Sequence, residues 1–405
     1  MNKHLQQLVS MQRAYYNNCK LKGGETLRPL QGMTVIDLTT NISGPTLTMI
    51  LADLGADVIK IEKPIGDEAR KMEPYVGEFG TYFQNINRGK KSVVLDLTSP
   101  EDKQHLRELI KTADVFVENF RLGKAQKLGF SYEDVKAINE QLIYCSLTAY
   151  GQHGPKKDKP GYDAIIQAET GLMSMTGADE LARIPVSILD QGSAVWGALG
   201  VVTALLQRQQ QGIVQKVETS LYETGVFWSG YHLLSAHVTG ENPQKLGSNH
   251  AAFAPYGAFQ TRDAPLMIGI SNDNLFHKLC TVIDQSQWLT DSRFSSNRAR
   301  VENREILNAN IQTLFAQQTC DELLTKLELA GVPAARMNSI LDVLNDPQTT
   351  SNNLIQQVIH PQHGAMKLTR LPITLSKQCL LPTESPPILG EHTELVLDGI
   401  HRIKE

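Results

Sequence analysis

A chain of 405 residues, 41% hydrophobic and 20% charged, with a formal net charge of −4, has material for two or three domains and a sizeable core. That balance gives no electrostatic reason to expect a nucleic acid or a membrane surface as partner. Cys19, Cys145, Cys280, Cys320 and Cys379 are scattered without C-x-x-C spacing, which reads as free thiols in a reducing compartment.

Residues 1–29 read as a polar leader without a signal-peptide core, and no run approaches the roughly 18 consecutive apolar residues of a membrane span, so a cytoplasmic protein is expected. Residues 33–38 then form a strand-length apolar run, Gly44–Pro45 suits a helix start, and Thr46–Gly55 has helical spacing. Asp57–Glu62 is a second strand, which completes a strand–helix–strand unit and implies a parallel sheet. The alternation continues through a strand at 92–97, a helix at 100–112, a strand at 114–118, a helix at 132–139 and a strand at 142–147. Residues 30–225 are thus expected to form a Rossmann-like α/β domain, with ligands bound where loops leave the carboxyl ends of its strands. No G-x-G-x-x-G follows the first strand and no P-loop occurs, which argues against nicotinamide, flavin or nucleotide binding.

Two basic loops fall at those strand ends. Asn87–Lys91 contributes Arg88 and Lys90, and Glu118–Lys124 contributes Arg121, with Lys127 close behind; each suits phosphate oxygens or is simply a solvated turn. Asp163 stands at an N-cap position before a helix expected over 164–175. Pro185–Leu189 reads as an extended apolar run ending at Asp190, after which a small-residue helix runs without a second charge to Arg208. Asp190 fits two roles: a cap bonded to the N–H of Gly192 or Ser193, and a nucleophile held ionised by the helix dipole. From about 226 the composition changes. An aromatic helix at 224–237, a hairpin around 262–265, helices at 272–282, 302–316 and 319–330, and a strand at 333–337 indicate a smaller α+β domain over 226–340. Residues 341–405 form a tail with a strand near 354–358 and a C-terminal helix opened by Leu389–Thr393. The histidines lack metal-ligand spacing and no G-x-S-x-G occurs, so neither a metal nor a serine nucleophile is expected.

Taken in order, Gly44–Pro45, the run Leu51–Glu62, Gly66–Asp67 with Arg70, Asn87–Arg88 to Asp96–Leu97, Ala113–Val115 to Gly123, Tyr150–Gln152, Gly154–Pro155, Tyr162–Asp163, Asp190 with Gly197 and Ala204–Leu205, and Leu389–Thr393 resemble the family III CoA-transferases. The resemblance spans about residues 30–400. It implies that Asp190 attacks an acyl-CoA to give a mixed anhydride and then an aspartyl-CoA thioester, from which CoA passes to an incoming carboxylic acid. Backbone N–H groups beside Asp190 would then serve the developing oxyanion. By the same resemblance Tyr162 and Asp163 line the thioester, and Lys63, Lys90, Asn119, Phe120, Lys127 and Leu128 hold the adenine and phosphates of CoA. It further implies two interlocked ring-shaped subunits, with CoA thioester as substrate and no permanently bound cofactor. The racemases related to this family carry a histidine where Tyr162 stands, and a phenol with an ordinary pKa of about 10 is a poor base, which favours transfer over racemisation. Acyl-CoA isomerisation and non-catalytic CoA binding are the alternatives. Residues 249–256 replace a glycine-rich loop of the formyl-CoA group, and His250 is either an acceptor contact or a surface histidine.

Overall fold

The structure, a computed structural model, describes residues 28–402 apart from Glu78, Ser376, Lys377, Leu381 and Thr383. Cys19 and the leader up to residue 27 lie outside the described residues. The chain divides into two compact units, one of Met1–Leu172, Ile184–Ser235 and Pro347–Glu405, the other of Met173–Arg183 and Ala236–Asp346.

The first unit is organised on six parallel strands: β1 (Thr34–Asp37), β2 (Asp57–Glu62), β3 (Lys90–Val94), β4 (Val115–Glu118), β5 (Ile143–Thr148) and β6 (Lys216–Ser220). Their spatial order is β3-β2-β1-β4-β5-β6, so strand order reverses between β1 and β4, where the crevice of an open α/β sheet lies. Alternate residues face opposite sides, and both sides are covered. Val35, Val58, Val115 and Ile143 pack in one core with Leu47 and Ala198; Ile36, Ile59, Phe116 and Tyr144 pack in the other with Leu106 and Ile110.

β3 begins at Lys90 rather than Ser92, because Lys90 and Lys91 pair in register with Val58 and Ile59 of β2. The helix expected over 164–175 ends at Glu169, where Gly171 adopts φ 81, and a separate turn follows at Leu172–Met175. The aromatic helix is likewise two, Leu221–Trp228 and Gly230–Thr239. The first of these stays with the sheet unit, because Leu221 packs against Tyr150, Ile166 and Leu189. The tail returns to the edge strand: His392 Nδ1 accepts from the Ser92 N–H, the Thr393 hydroxyl accepts from the Val94 N–H, and the Ser92 hydroxyl accepts from the Gly390 N–H.

Against this sheet lie α1 (Ser43–Asp53) and α2 (Ile188–Gln211). Gly197 lets them meet closely, since a Cβ there would stand 2.4 Å from Leu47 Cδ1. The 24 residues of α2 are long and apolar enough by average composition to cross a membrane, which counting unbroken apolar runs does not reveal. The helix is buried on one face only: Ala194, Ala198, Val201 and Ala204 are enclosed, while Val195, Trp196 and Leu199 are exposed.

The second unit is built on an antiparallel sheet of Tyr256–Gln260, Pro265–Gly269 and Ala334–Arg336. Helices Asp273–Val282, Arg304–Phe315 and Cys320–Leu329 supply Phe276, Leu279, Ile311, Phe315, Leu323 and Leu327 to its core, as the 3.6-residue spacing of apolar positions requires.

Candidate active site

Asp190 is not the N-cap of α2. The helix starts two residues earlier, at Ile188, which places Asp190 in its first turn, and the capping position falls to Ser187, whose side chain makes no cap hydrogen bond. The cap comes instead from Asp163. Its Oδ2 accepts from the N–H of Leu189 at 2.7 Å and of Asp190 at 3.2 Å, while Oδ1 accepts from Gln167 Nε2 at 2.5 Å. Asp163 in turn is the first helical residue of Asp163–Glu169 rather than its cap, a position occupied by Tyr162. One carboxylate therefore satisfies donors at the start of another helix, as a local cap residue would.

This arrangement reverses the electrostatic expectation for Asp190. Burial raises its pKa to about 7, with a further upward push from the Asp163 carboxylate, and the nearby Ser43 hydroxyl only partly offsets both. The helix dipole does not keep it fully ionised at neutral pH. Nor are the neighbouring backbone donors free for an oxyanion: Ile188 N–H donates to Val186 O and Gln191 N–H to Ser187 O, while those of Leu189 and Asp190 are held by Asp163. Tyr162 adjoins Asp163 in sequence but is 73% exposed.

Ser43 opens α1 directly after the β1 loop, and nothing in the sequence marks it, because its partner lies far along the chain. A buried charge network fixes that end of α1. Asp37, at the end of β1, accepts from Thr48 Oγ1 at 2.7 Å and from Lys90 Nζ at 3.0 Å, and Lys90 also donates to Pro45 O at 2.9 Å. Burial alone would raise the Asp37 pKa, but Lys90 and Lys60 together hold it at about 2. Lys60 continues the network to Asp67 at 2.8 Å.

Two of the expected CoA-binding cations are consumed by the fold. Lys90 is fully enclosed in this network. Arg88, 1% exposed, pairs with Asp53 at 2.6 Å and donates to the Asn85 carbonyl, so neither side chain is presented to a phosphate. Removing one partner of a buried pair strands the other charge, so Arg88→Ala is expected to cost about 3–5 kcal/mol in urea unfolding. A loss under about 1 kcal/mol would show that Asp53 finds water instead.

The other expected contacts gather at the reversal point of the sheet. A cavity of about 290 Å³ is lined by Lys63, Phe120 and Leu128 together with Leu38, Ile61 and Lys124. Lys124, the last residue of the basic loop Glu118–Lys124, holds its ammonium 4.7 Å from the centre of the Phe120 ring. Arg121 and Lys127 are exposed beside it. Asn119 serves the loops rather than the cavity wall: its Oδ1 accepts from Thr40 N–H at 3.0 Å and its Nδ2 donates to Thr40 O at 2.8 Å, tying the β1 loop to the β4 loop. In the second unit His250 packs on Phe253 and Tyr256, and its Nδ1 accepts from Ala252 N–H.

Known proteins resemble the chain over nearly this whole extent. It is 33% identical over 385 residues to a succinyl-CoA:glutarate CoA-transferase of Mus musculus, covering 94% of this chain and 88% of that one. It is 38% identical over 331 residues to an acetyl-CoA:oxalate CoA-transferase of Acetobacter aceti, covering 81% and 85%. A crystal structure of a CaiB/BaiF family protein from Brucella suis superposes with a TM-score of 0.84 at 34% identity, covering 93% of this chain and all of the other. The family model for CoA-transferase family III matches residues 30–393. With a parallel sheet, an acid at the start of its core helix and these relatives, the chain belongs to CoA-transferase family III.

Proposed function

We propose that this enzyme moves CoA from an acyl-CoA thioester to a carboxylic acid through covalent intermediates on Asp190. The observation that carries the reading is a half-buried carboxylate in the first turn of α2, near the Ser43 hydroxyl and crowded by Asp163. Such a carboxylate is raised in energy when ionised, which increases its gain on forming a bond. Its oxygen attacks the thioester carbonyl, the C–S bond breaks, and CoA leaves as a thiolate from a mixed anhydride. The thiolate attacks the aspartyl carbonyl of that anhydride and releases the first acid, leaving aspartyl-CoA thioester. An incoming carboxylate attacks this thioester, and CoA thiolate then attacks the substrate carbonyl of the new anhydride to restore Asp190. The developing oxyanions need donors other than the first-turn N–H groups of α2. The start of α1, which has no side-chain cap, supplies N–H groups beside Ser43.

The adenine of CoA belongs against Phe120, Leu128 and Ile61, with Lys63, Lys124, Arg121 and Lys127 for the phosphates. Asp163 acts as cap and electrostatic tuner of Asp190, and Tyr162 contacts the thioester arm from outside. Val195, Trp196 and Leu199 leave α2 with exposed apolar side chains, and exposed Phe227 packs on Trp196, which supports a homodimer. The buried free thiols Cys145, Cys280 and Cys320 support a reducing, cytoplasmic setting.

The test is capture of the intermediate. Incubation with acyl-CoA followed by hydroxylamine is expected to convert Asp190 to its hydroxamate, located by peptide mass. A modified residue elsewhere, or none while exchange proceeds, would overturn the assignment.

A further inference from the structure

We propose that Gln167 is a positioning residue for CoA transfer: its side-chain amide fixes the Asp163 carboxylate that caps α2, and so sets where Asp190 stands. This rests on the CoA-transfer reading above. Gln167 is fully enclosed. It lies four residues beyond Asp163 on the same helix, so the two side chains share a face.

Both polar atoms of the amide are used. Oε1 accepts from the Ile184 N–H at 2.9 Å, while Nε2 donates to Ile184 O at 3.2 Å and to Asp163 Oδ1 at 2.5 Å. The orientation follows from these partners, because a flipped amide would set its oxygen against the carboxylate and leave the Ile184 N–H without an acceptor. Gln167 thus holds one oxygen of Asp163, while the N–H groups of Leu189 and Asp190 hold the other. A carboxylate gripped at both oxygens is kept from turning about its last torsion. Ile184 is also the first residue of the sheet unit after Met173–Arg183, and α2 starts soon after it, at Ile188. One amide therefore ties down both the segment that leads into α2 and the acid that caps it.

The same grip fixes a charge. Among the described residues, Asp163 supplies the charge that acts on Asp190. Other charged groups on the elements packed against these two helices are engaged elsewhere: Glu169 with Lys156 at 2.5 Å, Arg208 with Asp114 at 2.7 Å, Asp53 with Arg88 at 2.6 Å, Lys216 with Glu218, and Glu223 with the Ser220 hydroxyl. Where the Asp163 charge points, and how close it stands to Asp190, depends on Gln167. A buried glutamine that only clamped Ile184 would act on stability alone, and independently of Asp163.

The experiment is a double-mutant cycle with Asp163→Ala. Gln167→Met, similar in shape but without donor or acceptor, is expected to lower kcat about 10-fold and to leave the acyl-CoA KM within about twofold, since the reacting carboxylate shifts and no CoA contact is lost. In the Asp163→Ala background the same change is expected to lower kcat by less than about twofold. Gln167→Glu keeps the shape, serves if Gln167→Met does not fold, and sets another acid against the pair. It is expected to move the acid limb of the kcat/KM profile to higher pH. An equal loss of kcat in both backgrounds, or an unmoved limb in Gln167→Glu, overturns the positioning role while leaving CoA transfer intact. The cycle is repeated in urea unfolding, which needs no catalysis. Asp163→Ala is expected to cost less once Gln167→Met is in place, and strictly additive costs overturn the role. Should exchange proceed without any Asp190 adduct, the transfer reading fails instead, and the unfolding cycle still decides whether Gln167 holds Asp163.

Discussion

Asp190→Ala is expected to reduce CoA exchange by about three orders of magnitude or more while leaving the fold intact, because the proposed acyl link needs its carboxylate. Exchange within about tenfold of wild type would exclude Asp190 as the nucleophile. The raised pKa adds a signature specific to this carboxylate. In the wild type, kcat/KM is expected to rise with pH and level off above about 7, as the attacking carboxylate ionises. Stability runs the other way. At pH below the ordinary carboxylate range, Asp190 is protonated in both folded and unfolded chains. Between that range and about 7 the folded chain keeps a proton that the unfolded chain has lost, so folding weakens as pH rises. Above about 7 the full penalty is felt, about 4 kcal/mol at most. Asp190→Asn abolishes it, so this variant is expected to match wild type at pH 4 and to be more stable at pH 8 by urea titration. Equal stability at pH 8 would show that the carboxylate is solvated.

Asp163 carries the second large effect, and two substitutions separate its two roles. Asp163→Ala is expected to strip the cap from Leu189 and Asp190, at a cost of about 1–2 kcal/mol, and to displace the turn that holds Asp190. Asp163→Asn keeps an oxygen for those N–H groups but removes the charge that pushes the Asp190 pKa upward. It is expected to fold and to shift the acid limb of the kcat/KM profile to lower pH. An unmoved limb in Asp163→Asn would mean that burial alone sets the Asp190 pKa.

Much of the parallel sheet was legible from the chain. Strand Asp57–Glu62 and helix Pro100–Thr112 were read at the bounds the structure has, because a β-branched run between turn residues and a Ser-Pro-Glu-Asp start are strong local signals. Asp190 was legible as a candidate, being the lone acid ahead of a small-residue helix. Its capping was not, since Ser187 and Asp163 both have the chemistry of a cap and only the packing of helix Asp163–Glu169 against α2 selects the distant one. Arg88 and Lys90 show the same limit from the other side. A basic turn looks alike whether it meets phosphate or buried acid, and Asp53 and Asp37 reach it only after α1 and β1 are in place.

By itself, then, the sequence determined the alternation of strands and helices, the acid at the start of the core helix, and the order of motifs that marks a CoA-transferase. Those features rest on residues near one another in the chain, where spacing and propensity act directly. The tertiary structure alone decided which charges are buried and which are offered, and that Ser43 and Asp163 come to Asp190. These depend on side chains from distant segments meeting in a low-dielectric interior, where each group's charge and reactivity are set by its neighbours.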